Sequence, residues 1–325
     1  MFTRTAPIGK WLFAALVIAG MVFVIRHLAQ IQQFVALAGR AQPIWLLAAL
    51  GLQATTYISV ACGWNAVLRR AGLPKALHRL IPIAIAKLFA DQVIPGAGLG
   101  GNVLLIERLT RLGIPRGAAM AALLVSMIGF YASYAALALV MLFTLWSHRQ
   151  ATPLLTGLVT TFLIIAIAIP SLALWLRRRG SQPLPPGIEH IGPLQKLLQI
   201  VGEAPENLVR DRRLVAKVTA FNSLVFLADA ASLAACLLAV GEPLLLSTAF
   251  IALMAGSIAM TLAPIPMGLG TFEASCIGML TLLGVAIEPA VTATLLLRGF
   301  TLWLPLGFGL VLLRSRRERN RQAKP

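Results

Sequence analysis

The sequence predicts an all-α polytopic membrane protein of about six spanning helices plus two re-entrant helical hairpins that pair as an inverted-topology repeat. Three observations carry that expectation. Apolar runs are longer than any globular core helix needs, basic residues gather at the ends of those runs, and two glycine-rich interruptions fall at similar places in the two halves. The composition agrees: the 325 residues are 58% hydrophobic and 12% charged, where soluble domains carry about 25% charged residues. The run 118–146 holds no ionisable side chain. As one helix it would reach about 43 Å, beyond the ~30 Å hydrocarbon core, so it is tilted or ends in the interface.

The elements follow in order. A first span is expected at 10–28; Arg26 and His27 follow its apolar core where a signal peptide would have small residues for cleavage, so it is read as an uncleaved helix. A second span covers 43–68, with Pro43 near its start, where a missing N–H costs nothing. A short basic loop, 69–79, leads to the apolar segment 80–94, the run PGAGLGG at 95–101 and an amphipathic piece at 102–112. Spans at 118–146 and 153–176 come next. The polar stretch 177–215, with eight Lys/Arg (counting Lys217 at its edge) against four acidic residues, reads as a cytosolic loop with short surface helices in 193–213. Apolar segments at 216–240 and 243–262, PIPMGLG at 264–270, an apolar piece at 271–287, a last helix at 289–313 and a basic tail at 314–325 complete a single membrane domain, 1–325.

The formal charge of +17 does not point to nucleic acid, because the cations are neither interleaved with aromatics nor carried on a soluble domain. They cluster instead at 69–79, 177–179 and 314–324, which the positive-inside rule places in the cytosol, where they attract anionic lipids. The opposite side then keeps Arg26, Arg40, Arg149, Glu242 and Glu288, a sum of only +1. Both termini are cytosolic in this scheme. Parity requires 80–112 to enter and leave on the cytosolic side and 243–287 to enter and leave on the other. Both stretches are therefore read as re-entrant hairpins, tolerated where protein or a water-filled cavity covers the broken backbone. The alternatives are eight full spans, or glycine clusters that are plain loops and kinks.

The hairpins resemble each other. Gly98-Leu99-Gly100 matches Gly268-Leu269-Gly270, and Leu112-Gly113-Ile114 matches Leu283-Gly284-Val285. Repeat units of about 80–146 and 243–313, inserted with opposite sense, would make the inverted repeat of many alternating-access transporters, with the binding site at the interrupted segments.

Charges inside apolar segments cost roughly 2.5–3.5 kcal/mol each near a helix centre unless paired or hydrated, so they mark candidate sites. Lys87 and Asp91 are four apart and either pair in the membrane or snorkel to its edge; Glu107 and Arg111, beside Arg108, are also four apart and suit a surface helix equally well. Asp229 stands mid-span with no charge within ten residues, which calls for a buried partner, a proton relay or a hydrated cavity. Asn102 and Glu273 follow the two glycine turns and fall in the first turn of a half-helix, whose N–H groups and dipole favour an anion. Arg298, nine residues into the last helix, offers the rigid donor fork that suits a phosphate-bearing headgroup; a purely structural pair with Glu273 is the competing account.

The stretch 268–313 resembles the C-terminal signature of the lysylphosphatidylglycerol synthase transmembrane-region family of flippase-like membrane proteins, through Gly268, Gly270, Glu273, Gly284, Val285 and Arg298. PGAGLGG, with Gly98, Gly100 and Gly101, is similar to the family's other glycine signature, although Asn102 stands where an acidic residue is common. An acidic–basic pair that many members carry is absent from 121–128, AALLVSMI. The resemblance implies translocation or handling of polar lipids, with membrane lipids as partners, a lipid-synthesis enzyme as a further partner, and no synthase activity from these residues themselves.

A small-solute or anion transporter and a non-transporting subunit are the competing functions. Enzyme activity, cofactors and metals are not expected. His27, His78, His148 and His190 fall in separate loops, Cys62, Cys236 and Cys276 lack metal spacing, and GAGLGGN lacks the Lys-Ser/Thr of a nucleotide loop.

Overall fold

A computed structural model describes residues 39–93, 99–147, 153–180, 202–243, 246–263 and 268–303. Among them the secondary structure is entirely helical: α1 (Pro43–Arg70), α2 (Leu77–Val93), α3 (Leu99–Arg111), α4 (Arg116–Ser147), α5 (Pro153–Gly180), α6 (Glu206–Val209), α7 (Arg212–Ala239), α8 (Leu246–Leu262), α9 (Thr271–Leu282) and α10 (Ile287–Arg298), which runs directly into a π-helical turn, Gly299–Trp303. The protein is an all-α, polytopic membrane protein. Four of the described helices, α1, α4, α5 and α7, are long and apolar enough to cross a bilayer. At 28, 32, 28 and 28 residues they exceed the ~20 needed, and they coincide with the spans expected at 43–68, 118–146, 153–176 and 216–240.

By contrast α2 and α8 have 17 residues each, α3 has 13 and α9 has 12, all short of a comfortable span. The expected first span 10–28, Gly98, the loop segment 181–201 and the tail 314–325 lie outside the described residues. The last helix, expected over 289–313, starts at Ile287 and changes from α to π immediately after Arg298.

Local chemistry explains the ends. Pro43 opens α1, and Gly72, at φ 74°, turns the chain beyond Arg70. Asp211 caps α7 by accepting the Arg213 and Leu214 N–H groups, each at 3.1 Å, and also accepts the Arg70 Nε at 2.8 Å. The Arg70 hydrogen bond, then those of the backbone, hold its carboxyl below the usual range. One residue thus starts α7 and ties it to the end of α1.

The central helix is α7, which packs on α1, α4, α8 and α10. With α4 it runs through both hydrophobic clusters, one around Trp64, Leu80, Leu105 and Val218 and the other around Met141, Phe162, Leu233 and Cys276. Small residues allow the close approach, as they do in membrane bundles generally. At Gly129 of α4 a Cβ would lie 3.1 Å from the Thr219 backbone nitrogen. The outward faces are apolar instead of polar: Ile44, Leu47, Phe143, Ile164 and Trp175 are all exposed, which suits lipid as the solvent. Within this frame α2 packs on α3, and α8 on α9, forming the two helix pairs that carry the glycine runs.

Candidate functional site

The second helix pair builds the tightest polar cluster. Gly268 and Gly270 both have positive φ, 60° and 84°, so the chain reverses sharply before α9. Gly270 is the N-cap of α9, and Glu273, three residues on, turns its side chain back so that Oε2 accepts the Gly270 N–H at 2.7 Å. Its other oxygen, Oε1, accepts Arg298 Nε at 2.5 Å. Arg298 is only 7% exposed, and its guanidinium lies 4.8 Å above the Phe272 ring. Thr294, one turn before Arg298, donates to Cys276 Sγ at 3.6 Å and packs α10 against α9. The pair expected from sequence is present, and it is mostly buried.

Chemically the cluster is one carboxylate held between a guanidinium and a backbone amide. A helix N-terminus and a guanidinium both favour negative charge, and the Glu273 carboxylate supplies it. Phe272 limits where the guanidinium can move. The sequence pointed to Glu273 and Arg298; the clamp by Phe272 was missed, although an aromatic between the glycine turn and the acid was a usable signal.

The first helix pair carries a related arrangement with the parts redistributed. Lys87 Nζ donates to Asp91 Oδ2 at 2.7 Å, and the Gly101 N–H donates to Asp91 Oδ1 at 3.1 Å. Again a carboxylate bridges a cation and the amide of the last glycine of the run. Here, however, the acid comes from the helix before that run. Gly101 leaves no room for a side chain, since a Cβ there would stand 2.7 Å from the Lys87 carbonyl oxygen. The two glycine runs meet their helices at different points, since Gly270 is the N-cap of α9. Gly100 and Gly101 lie inside α3, which begins at Leu99, because Asp91 satisfies an N-terminal amide from outside and lets the helix start earlier.

Asn102 does fall in the first turn of α3, as expected, and is half-buried. It shares its helix with Leu105 and Leu109 of one hydrophobic cluster, whereas Arg298 follows Leu297 of the other. Among the described residues no hydrogen bond joins Asn102 to Arg298.

Asp229 has a partner after all, and it is neutral. Gln53 Nε2 donates to Asp229 Oδ1 at 2.6 Å and lies 3.5 Å from Ser232 Oγ, which donates onward to the Ala228 carbonyl at 2.9 Å. This network sits between α1 and α7, and Gln53 is buried. Sequence reasoning missed Gln53, although a glutamine within ALGLQATTYISV was conspicuous. Glu107 pairs with Arg111 on an exposed face of α3, the surface arrangement that was one of the two readings. Among the described residues no group of three His, Cys, Asp or Glu is placed to hold a metal.

An apolar cavity of about 220 Å³ opens between α4, α5, α8 and α9, lined by Met141, Val159, Ile258, Ser275 and Met279 among others. A family model, that of the lysylphosphatidylglycerol synthase TM region, matches residues 11–309. No curated protein matches the chain.

Proposed function

Because the chain belongs to the family of the lysylphosphatidylglycerol synthase TM region, a membrane lipid-handling family, we propose that it translocates polar lipids across the bacterial inner membrane without catalysing a covalent step. The observation that carries this reading is the Arg298–Glu273–Gly270 cluster. An arginine in an apolar bundle needs a counter-charge, and Glu273 provides one. A phosphate-bearing headgroup offers the same charge with more acceptor oxygens. It would displace the carboxylate, take the guanidinium fork and the amides of α9, and leave its acyl chains among apolar surfaces such as the cavity beside α9.

In this reading α2–α3 and α8–α9 are re-entrant hairpins of an inverted repeat, entering from opposite faces, with both termini cytosolic. Gly268 and Gly270 shape the turn of the second hairpin. Asp91 and Lys87 form the counterpart of Glu273 and Arg298, Asn102 lies beside them, and Asp229 with Gln53 couples helix movement to protons. Membrane lipids are the partners, with a lipid-synthesis enzyme supplying them; no nucleic acid or cofactor is required. The same chemistry would serve a transporter of small anions, and the assay distinguishes the two.

In reconstituted vesicles, wild type should move a short-chain fluorescent anionic phospholipid between leaflets. Arg298→Leu should abolish that movement at equal inserted amount. Movement unchanged by Arg298→Leu sinks the headgroup site. Uptake of inorganic phosphate without lipid movement favours the small-anion reading.

A further inference from the structure

Where α1 ends and α7 begins, an open cavity of about 120 Å³ is lined by Asn65 and Arg69 of α1, Leu77 at the start of α2, and Lys217 and Phe221 of α7. Its charge is one-sided. Arg69 and Lys217 approach it from different helices, and no carboxylate lines it. The nearest acid in sequence, Asp211, is already engaged, capping α7 and accepting Arg70 at 2.8 Å. Among the described residues no ion pair engages Arg69 or Lys217.

The cavity also has a neutral donor. Asn65 is 5% exposed, and its Oδ1 accepts the Lys75 N–H at 3.2 Å. That bond sets which end of the amide is oxygen and leaves the NH2 group to the cavity. Leu77 and Phe221 add an apolar wall. In depth, Arg69 lies in the last turn of α1 and Lys217 in the second turn of α7, so both stand where the apolar runs meet the interface. Two cations that line one cavity repel unless an anion lies between them.

We propose that this cavity binds the phosphate of an anionic phospholipid in the leaflet on that face, at a site separate from Arg298. Arg69 and Lys217 hold the phosphate, Asn65 donates to one of its oxygens, and the glycerol and chains run along Leu77 and Phe221 into the bilayer. Basic pockets between membrane helices at this level have the charge and depth such headgroups need. The bound lipid would clamp α1 to α7, the two helices that also hold Gln53 and Asp229.

Native mass spectrometry of the purified full-length protein with added phosphatidylglycerol tests the site. Wild type should retain one phosphatidylglycerol that Arg69→Gln/Lys217→Gln binds roughly thirtyfold more weakly, the loss expected for two cations at a bilayer surface. Arg212→Gln/Arg213→Gln removes the same charge outside the cavity and should keep the lipid; Arg298→Gln should keep it too. Equal weakening in the two double variants would reduce the binding to diffuse attraction and overturn the site. Loss in Arg298→Gln alone would assign the lipid to the other cluster and overturn it as well. Displacement of the lipid from wild type by inorganic phosphate would give the cavity to a soluble anion.

Discussion

Arg298 Nε lies 2.5 Å from Glu273 Oε1, while Glu273 Oε2 takes the Gly270 N–H at 2.7 Å, so one carboxylate joins the end of α10 to the start of α9. Both side chains are mostly buried, at 9% and 16% exposure. Removing either partner strands the other's charge, which in buried pairs costs about 3–5 kcal/mol. Glu273→Leu and Arg298→Leu should therefore each lower the unfolding temperature in detergent markedly, and the double variant should cost less than their sum. Additive losses in that double-mutant cycle would mean the two charges are not coupled.

The spans were legible because long uncharged runs have no other stable use, and α1, α4, α5 and α7 lie where hydropathy puts them. The Glu273–Arg298 pair was legible because rare charges in an apolar chain must find each other. The Asp91–Gly101 bond was not. It joins residues ten apart across the glycine run, and sequence alone could not say that the acid capping α3 comes from the helix before it. Gln53 was missed for a related reason: its bond to Asp229 spans 176 positions, and only the packing of α1 on α7 brings the two together.

Asp229 and Gln53 make a second, separable prediction. Asp229→Asn keeps an oxygen to accept from Gln53 and should change stability by no more than about 1 kcal/mol. Asp229→Leu leaves the buried Gln53 amide without that acceptor, at about 1–3 kcal/mol. If Asp229 couples movement to protons, Asp229→Asn should flatten the pH dependence of lipid movement in vesicles. An unchanged profile would reduce the residue to packing.

Gly101 is the glycine whose replacement should hurt the first helix pair most directly. A Cβ there meets the Asp91 carboxylate and stands 2.7 Å from the Lys87 carbonyl oxygen, so Gly101→Ala should destabilise by about 1–3 kcal/mol. At Gly157 of α5 a Cβ meets nothing within 4 Å, and Gly157→Ala should be neutral or stabilise by up to about 1 kcal/mol. Thermal unfolding of the two variants checks the contrast. Equal behaviour would mean that the Asp91–Gly101 contact does not constrain α3.

The proposed opposition of the two hairpins has a geometric basis that labelling can examine. Their helices have 17 and 13 residues in one pair and 17 and 12 in the other, or roughly 18–26 Å each at 1.5 Å per residue. None reaches the ~30 Å of a hydrocarbon core, so each pair is better suited to dip into the bilayer and return. Loop charge then has the first pair enter from the basic face and the second from the other. In a background with Cys62, Cys236 and Cys276 replaced by alanine, a cysteine at Leu99 should react with a membrane-impermeant maleimide from the cytosolic side. One at Leu269, which is 46% exposed, should react from the opposite side. Reaction of both from one side would break the inverted repeat while leaving the Arg298–Glu273 cluster intact. The reverse pattern would overturn the orientation drawn from loop charge.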